Sequence, residues 1–373
     1  MEKVLLIGGG KIGRMISHFL AGSGDYAITV ADASDDALKD FARRGLETIR
    51  LDAADNDQLA AGVRGFGHVI SASPYFLTVG IARAAAAAGA SYFDLTEDVA
   101  SSREVRKLAK TATSAIVPQC GLAPGFVSIV AAALAARFEK LEDLHLRVGA
   151  LPQYPTNALK YNLTWSTDGL INEYLNSCEA IVDGEYRETA PLEGREHFSL
   201  GGVEYEAFNT SGGLGTLHET LAGKVRNLNY RTVRYPGHLD VIRLLVDDLK
   251  LRDRPAILKD ILETALPMTT QDVVLVFVTA SGHRNGKFIQ ESRLYKIFGQ
   301  PVDGEAWSAI QVTTAAAVCA VLDLLVAGKL PDRGFVRQED VKLDDFLTNR
   351  FGRYFTGENG PADAGVSDRR EGI

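Results

Sequence analysis

Val4-Leu5-Leu6-Ile7-Gly8-Gly9-Gly10-Lys11-Ile12-Gly13 is the stretch that decides the fold. Val4 to Ile7 is a short apolar run suited to a buried strand, and Ile12 to Leu20 has helical spacing. Between them, Gly8, Gly10 and Gly13 fit G-x-G-x-x-G, and each glycine has a physical task. Gly8 permits a tight turn, Gly10 lets backbone approach a pyrophosphate, and Gly13 allows close helix–strand packing. The helix N-terminus, with Lys11 and Ile12 in its first turn, offers free N–H groups and a partial positive charge to phosphates. Asp32 ends the next strand about 20 residues further on, where a carboxylate accepts hydrogen bonds from ribose hydroxyls. Ala33 and Ser34 follow it, with no arginine to receive a 2′-phosphate, and the carboxylate repels one. NAD rather than NADP is therefore the expected cofactor. The bland alternative is a glycine-rich turn that holds no nucleotide.

Working outward, strand and helix patterns alternate through residues 1–121. Strands are expected at Ala27 to Ala31, Glu47 to Leu51, His68 to Ala72, Ser91 to Leu95 and Ser114 to Pro118. Such alternation predicts an α/β fold, a doubly wound parallel Rossmann sheet with helices on both faces. Asp52 and Ala53 end the third strand, where an adenine can lie, although Asp52 also fits a plain turn or helix cap. Ser71, Ser73, Pro74 and Tyr75 end the fourth, at the sheet edge where ligands bind.

The pattern changes after Gly125. A helix is expected over Phe126 to Phe138, then strands at Leu144 to Gly149, Ala158 to Trp165, Ala180 to Val182, Val273 to Ser281 and Lys287 to Ile297. The last two flank a predicted hairpin loop, Gly282 to Gly286. Residues 122–305 thus read as an inserted α+β substrate and dimerisation domain. The apolar segment Ala306 to Ala327 predicts a helix returning to the first domain, within a C-terminal unit of residues 306–355. The tail, 356–373, has little to bury and is expected to be disordered.

A net charge of −8 argues against a general affinity for nucleic acid or anionic lipid. No apolar run approaches the roughly 20 residues of a membrane span. The N-terminal apolar stretch is too short for a signal peptide. Cys120, Cys178 and Cys319 are widely spaced and odd in number, which suits a reducing, cytoplasmic setting. The histidines show no metal-ligand spacing, so no metal is expected.

Five motifs carry a family resemblance: Cys120-Gly121-Leu122-Ala123-Pro124-Gly125, Val148-Gly149-Ala150-Leu151-Pro152, Thr164-Trp165-Ser166, Glu206-Ala207-Phe208-Asn209-Thr210 and Arg234-Tyr235-Pro236-Gly237-His238. With these the chain resembles the saccharopine reductase and lysine 6-dehydrogenase family over most of its length. The resemblance implies a second domain that supplies the substrate site and commonly a homodimer interface, followed by a returning helix. It also implies Ala123 at a position usually acidic in saccharopine reductases, which points to the lysine 6-dehydrogenase side. The implied activity is NAD-dependent oxidative deamination of L-lysine to 2-aminoadipate 6-semialdehyde. The alternatives are a saccharopine reductase-like reaction on a secondary amine, or a non-catalytic NAD-binding sensor.

Amine oxidation requires an ammonium to lose its proton, a C–H bond aimed at the nicotinamide, and an activated water. Asp94, Glu97 and Asp98 lie just beyond the fifth strand, where a carboxylate can hold the amine or act as base, with Asp94 and Glu97 preferred. Ser101 to Glu104 reads as a capping box downstream of them. Gly121, Ala123 and Pro124 are expected to turn backbone toward the nicotinamide, or simply to form a Pro-Gly turn. Arg234 is the candidate clamp for an α-carboxylate, against a surface ion pair. His238 is a candidate acid/base, against a structural histidine. Asn209 and Thr210 read as the opening of a helix able to bind an anion, or as an ordinary cap. Lys160, Tyr161 and Trp165 are expected to line the pocket, with Tyr161 and Trp165 on one face of a strand.

Overall fold

The computed structural model describes residues 1–356. The expected disorder of the tail therefore falls, from 357 onward, outside the described residues. The first sheet is built from β1 (Glu2–Ile7), β2 (Tyr26–Asp32), β3 (Glu47–Arg50), β4 (His68–Ser71), β5 (Ser91–Asp94) and β6 (Ala115–Val117). They run parallel in the order β6-β5-β4-β1-β2-β3, and Gly334–Phe335 adds a seventh strand beside β6.

Strand β1 shows why the sheet is covered on both faces. Val4 and Leu6 point into one core with Met15, Ile16 and the helix Ala309–Val326. Leu5 and Ile7 point into another with Leu59, Ile81, Ala82 and Val105. A period of two on a strand buried on both sides has no polar positions to spare, so the run is wholly apolar. Strand order reverses between β1 and β4, which opens a crevice at their carboxyl ends.

The second sheet contains β7 (Lys140–Pro152), β8 (Cys178–Val182), β9 (Glu185–Thr189), β10 (Glu196–Leu200), β11 (Val203–Asn209), β12 (Asn227–Arg234), β13 (Asp272–Arg284) and β14 (Lys287–Phe298). Its main order is β10-β11-β12-β7-β13-β14, with β8 beside β12 and β9 beside β8. The sheet is mixed: β12 runs parallel to β7, while the other pairs are antiparallel.

Three expectations need correction here. Ala158 to Trp165 is not a strand. Asn157 bonds both the N–H and the C=O of Tyr161, and Lys160 takes a positive φ of 52°, so local side-chain bonds replace a ladder. The loop expected at Gly282 to Gly286 shrinks to Asn285-Gly286, because β13 and β14 stay paired out to Arg284 and Lys287. Both turn residues have positive φ, 52° and 71°, as a two-residue hairpin requires. Finally, the 18-residue helix Ala309–Val326 is long and apolar enough to cross a membrane, contrary to the reading above. Its side chains are instead largely buried within the protein.

That helix is fixed from below and from the side. Asp272, at the start of β13, accepts from the N–H groups of Ala309 at 2.5 Å and Ile310 at 3.0 Å. Tyr26 donates to Asp323 at 2.6 Å, tying the helix to β2. The returning chain thus packs beside the helix Lys11–Ser23 that opens at the glycine turn.

Candidate active site

The glycine turn has the geometry its sequence requires. Gly8 has φ 115°, and a Cβ there would lie 2.5 Å from the Ala72 carbonyl oxygen. A Cβ on Gly13 would lie 2.0 Å from the Gly8 oxygen, so close helix–strand packing excludes any side chain. At Gly10 a Cβ would meet nothing within 4 Å, and no side chain caps the helix Lys11–Ser23. An open space over uncapped N–H donors fits a dinucleotide pyrophosphate. Asp32 stands beside it: its carboxylate accepts from Gly9 N–H at 2.7 Å and Ser34 N–H at 2.8 Å. The next helix begins Asp35-Asp36, but Asp35 pairs with Arg50 at 3.3 Å and Asp36 with Lys39 at 2.6 Å, so the charge beside the turn is that of Asp32. Ile12, Ser73, Pro74, Tyr75, Gly121 and Ala123 continue the crevice inward.

The other predicted cofactor residues lie farther back. Lys11 sends its ammonium to the Met268 sulfur at 3.2 Å, away from the turn. Asp52 accepts from Ala54 N–H at 2.9 Å, the plain turn role, and Ala53 packs against the core beside it. Ser71 is buried in β4 with its hydroxyl unpartnered. Gly121 to Ala123 line the crevice, whereas Pro124 does not.

Inward from the crevice lies a cavity of about 180 Å³, walled mainly by apolar groups. The Rossmann side contributes Leu95, Thr96 and Glu97, from the loop after β5. The second sheet contributes Val148 and Ala150 from β7, and Tyr230, Thr232 and Arg234 from β12. Trp165, Ser166 and Glu173 close it, the last from the helix Thr167–Leu175.

Arg234 is 2 % exposed, and among the described residues no carboxylate lies within 4.0 Å of its guanidinium. It is held by other means. Its Nε donates to Tyr174 Oη at 3.1 Å, Nη1 donates to the Val233 carbonyl at 2.9 Å, and the guanidinium lies 4.9 Å from the Tyr161 ring centre. A buried cation without a fixed counter-ion is costly unless the site completes it with an anionic ligand. The surface ion pair weighed for this residue is therefore excluded.

Two carboxyls share the cavity with it. Burial, helped by the neighbouring Asp98 and Asp94 charges, pushes Glu97 up to about 7. Burial pushes Glu173 up to about 8, opposed by Arg234 and reinforced by Glu97. Glu97 is tightly seated: a Cβ on Gly169 would lie 2.8 Å from its Oε1, and one on Gly212 would lie 2.1 Å from its carbonyl oxygen.

Several predicted residues take supporting positions instead. Asp94 is 1 % exposed and accepts from Thr96 and Gln119 N–H, joining the ends of β5 and β6. Burial pushes it up to about 6, but it does not line the cavity. Asp98 is the N-cap of the helix Val99–Ala109, accepting from Ser101 N–H at 2.7 Å. The expected Ser101 cap is displaced three residues upstream because Asp98 occupies the extended position a cap needs.

His238 is fully buried and outside the cavity, so it is no acid/base partner for a bound substrate. Its Nδ1 donates to the Leu159 carbonyl at 2.8 Å, which leaves Nε2 to accept from Tyr174 Oη at 3.0 Å. Burial and the Arg234 charge depress it to about 3, so it stays neutral. Tyr161 is buried beneath Arg234 and accepts from Trp165 Nε1 at 3.1 Å, whereas Lys160 turns outward to the Pro236 carbonyl. Asn209 and Thr210 open no adjacent helix; the next one, Leu217–Thr220, starts seven residues past Thr210. Asn209 instead meets Arg231 and Ala190, and Thr210 is buried. Ser211 N–H donates to the Glu173 carbonyl at 3.0 Å, so this turn braces the helix that carries Glu173.

Glu173 and Tyr174 were not singled out in the sequence. A signal for their helix existed: Ser166 caps it by accepting from Gly169 N–H at 3.2 Å, and Leu170, Ile171 and Tyr174 have helical spacing.

Comparison with known proteins covers both parts of the chain. Residues 4–118 match the family model "Saccharopine dehydrogenase NADP binding domain", and residues 121–351 match "Saccharopine dehydrogenase C-terminal domain". A saccharopine dehydrogenase (NADP(+), L-glutamate-forming) of Pyricularia oryzae is 24% identical over 294 residues, covering 73% of this chain and 63% of that protein. A mitochondrial alpha-aminoadipic semialdehyde synthase of Rattus norvegicus is 21% identical over 195 residues, 49% of this chain and 21% of that protein. The chain thus spans less than two thirds of either relative. The solved apo saccharopine dehydrogenase (L-Glu forming) of Saccharomyces cerevisiae shares the fold at a TM-score of 0.77 and 16% identity, over 96% of this chain and 97% of that one. With both of its halves matched, the chain belongs to the saccharopine dehydrogenase family.

Proposed function

We propose that the protein oxidises the ε-amine of L-lysine with NAD, releasing ammonia and 2-aminoadipate 6-semialdehyde. The observation that carries this reading is the buried Arg234, free of any ion-paired carboxylate among the described residues and open to an apolar cavity. A guanidinium fork so placed takes an α-carboxylate in two parallel hydrogen bonds. That anchors one end of an amino acid and leaves its side chain to extend toward Glu97 and the crevice.

Glu97 then works on the amine. Its carboxyl, raised to about 7, exchanges a proton near neutrality and accepts one from the ε-ammonium. The freed lone pair assists departure of hydride from the ε-carbon. A bound nicotinamide supplies the acceptor for that hydride. Water adds to the resulting iminium carbon with release of one proton to solvent, Glu97 returns its own proton to the nitrogen, and ammonium leaves as the carbonyl forms. Apolar walls from Leu95, Leu122, Val148 and Ile310 keep bulk water from the reacting carbon.

Asp32 supports NAD over NADP, since a 2′-phosphate would meet its carboxylate beside the glycine turn. The choice of lysine rests on charge. Arg234 is the sole Arg or Lys among the residues lining the cavity, facing two acids. Lysine brings one carboxylate and two amines. Saccharopine brings three carboxylates and would leave two without a cation. The name of the Pyricularia oryzae relative favours a second reading, reaction at the secondary amine of saccharopine with NADP.

Formation of NADH or NADPH, measured with each dinucleotide, together with ammonia release across lysine, ornithine and saccharopine separates these readings. Lysine turnover with equimolar ammonia is the expected result. Turnover of saccharopine alone, without ammonia, would replace the proposal with its rival.

A further inference from the structure

We infer that Glu173 reads the α-ammonium of the substrate, so that Arg234 and Glu173 together recognise a complete α-amino-acid head group. This deepens the reading above and rests on its placement of the carboxylate at Arg234. Glu173 is 5 % exposed and lines the cavity, and its carboxylate takes no hydrogen bond from the described residues. A polar side chain so deeply buried is normally satisfied by protein or ligand.

Its position fits one ligand group. Glu173 and Arg234 attract each other electrostatically yet form no ion pair within 4.0 Å. An α-carbon bearing both charges fills such a gap, with its carboxylate on the guanidinium and its ammonium on Glu173. Both residues belong to the second-sheet side, whereas Glu97 comes from the loop after β5 beside the crevice. The two acids therefore divide the two amines of a diamino acid: Glu173 the resident one, Glu97 the reacting one. Glu173 is seated for this task, because Ser211 N–H holds its backbone carbonyl at 3.0 Å. Burial in an apolar wall raises its proton affinity, and an ammonium placed beside it would favour the carboxylate.

The test uses ligands without a reactive amine, so it does not depend on turnover. With NAD present, calorimetry compares L-2-aminohexanoate with hexanoate on the wild type, Glu173→Gln and Glu173→Asp. The wild type should bind the amino acid at least about tenfold more tightly, the scale of a charge-assisted hydrogen bond. Glu173→Gln should bring the two ligands within about threefold, and Glu173→Asp should restore part of the preference. Equal binding of both ligands by the wild type, or an undiminished preference in Glu173→Gln, overturns the inference. A preference that vanishes in Glu173→Gln, in a protein that fails to oxidise lysine, would sink the proposed reaction and leave this inference standing.

Discussion

Arg234 Nε donates to Tyr174 Oη at 3.1 Å, and that phenol directs its own proton to His238 Nε2 at 3.0 Å. The chain of roles is fully determined. His238 Nδ1 faces the Leu159 carbonyl and must carry hydrogen, so Nε2 accepts, so Tyr174 donates there and accepts from arginine. Three buried polar groups are satisfied by one another, and the guanidinium is left with its remaining donors toward the cavity.

Tyr174→Phe should therefore raise KM for lysine by roughly tenfold, a lost hydrogen bond to a charged group. KM for NAD and kcat should change little. Steady-state kinetics in both substrates checks this, and an equal loss in both would mean general misfolding rather than a displaced arginine.

Asp32→Ala should weaken NAD by roughly tenfold or more while barely affecting NADP. The variant loses a ribose acceptor and the local negative charge, which act in opposite directions on NADP. Titration of each cofactor by fluorescence gives the ratio. Equal loss for both would remove Asp32 from ribose recognition.

Glu97→Gln should lower kcat by about 10²–10⁴, the usual range for a lost general base, with cofactor affinity preserved. In the wild type the working form is the ionised carboxylate. Because Glu97 is raised to about 7, kcat/KM should climb with pH below about 7 and level off above it. The variant should lose that acidic limb, and a retained limb would assign it to another group.

Glu173 makes a prediction about stability. Its folded carboxyl is raised from 4.5 to about 8, so the native state holds a proton that the unfolded chain has released. Its contribution is fully present below about 4.5 and is lost as pH rises to about 8. Glu173→Gln keeps the neutral shape and escapes that loss. Its melting temperature should match the wild type near pH 5 and exceed it at pH 9. No divergence between these pH values would mean that Glu173 is ionised in the resting protein.

The parts legible in sequence were those governed by local rules. Gly8, Gly10 and Gly13 are dictated by backbone contacts within one turn, and the all-apolar β1 by its two covered faces. Arg234 stood out in the sequence as a candidate clamp because a guanidinium fork matches a carboxylate, but its burial was not legible. The strand that carries it reads Asn-Leu-Asn-Tyr-Arg-Thr-Val-Arg, and its polar positions mask the alternation of Leu228, Tyr230 and Thr232. Glu173 was missed because one acid in a short helix carries no sign of its neighbours; only tertiary packing places it in an apolar wall. His238 misled for the same reason. An isolated imidazole reads as reactive until both nitrogens are found engaged. Asp98 shows the reverse case, a cap three residues upstream of the motif that suggested one.

The most direct measurement is the KM for lysine of Arg234→Met at saturating NAD. Removal of the cavity's guanidinium should raise it roughly a hundredfold while NAD binding stays intact. A KM unchanged from wild type in a folded, NAD-binding variant would contradict the placement of the substrate carboxylate, and with it the proposed orientation of the amine.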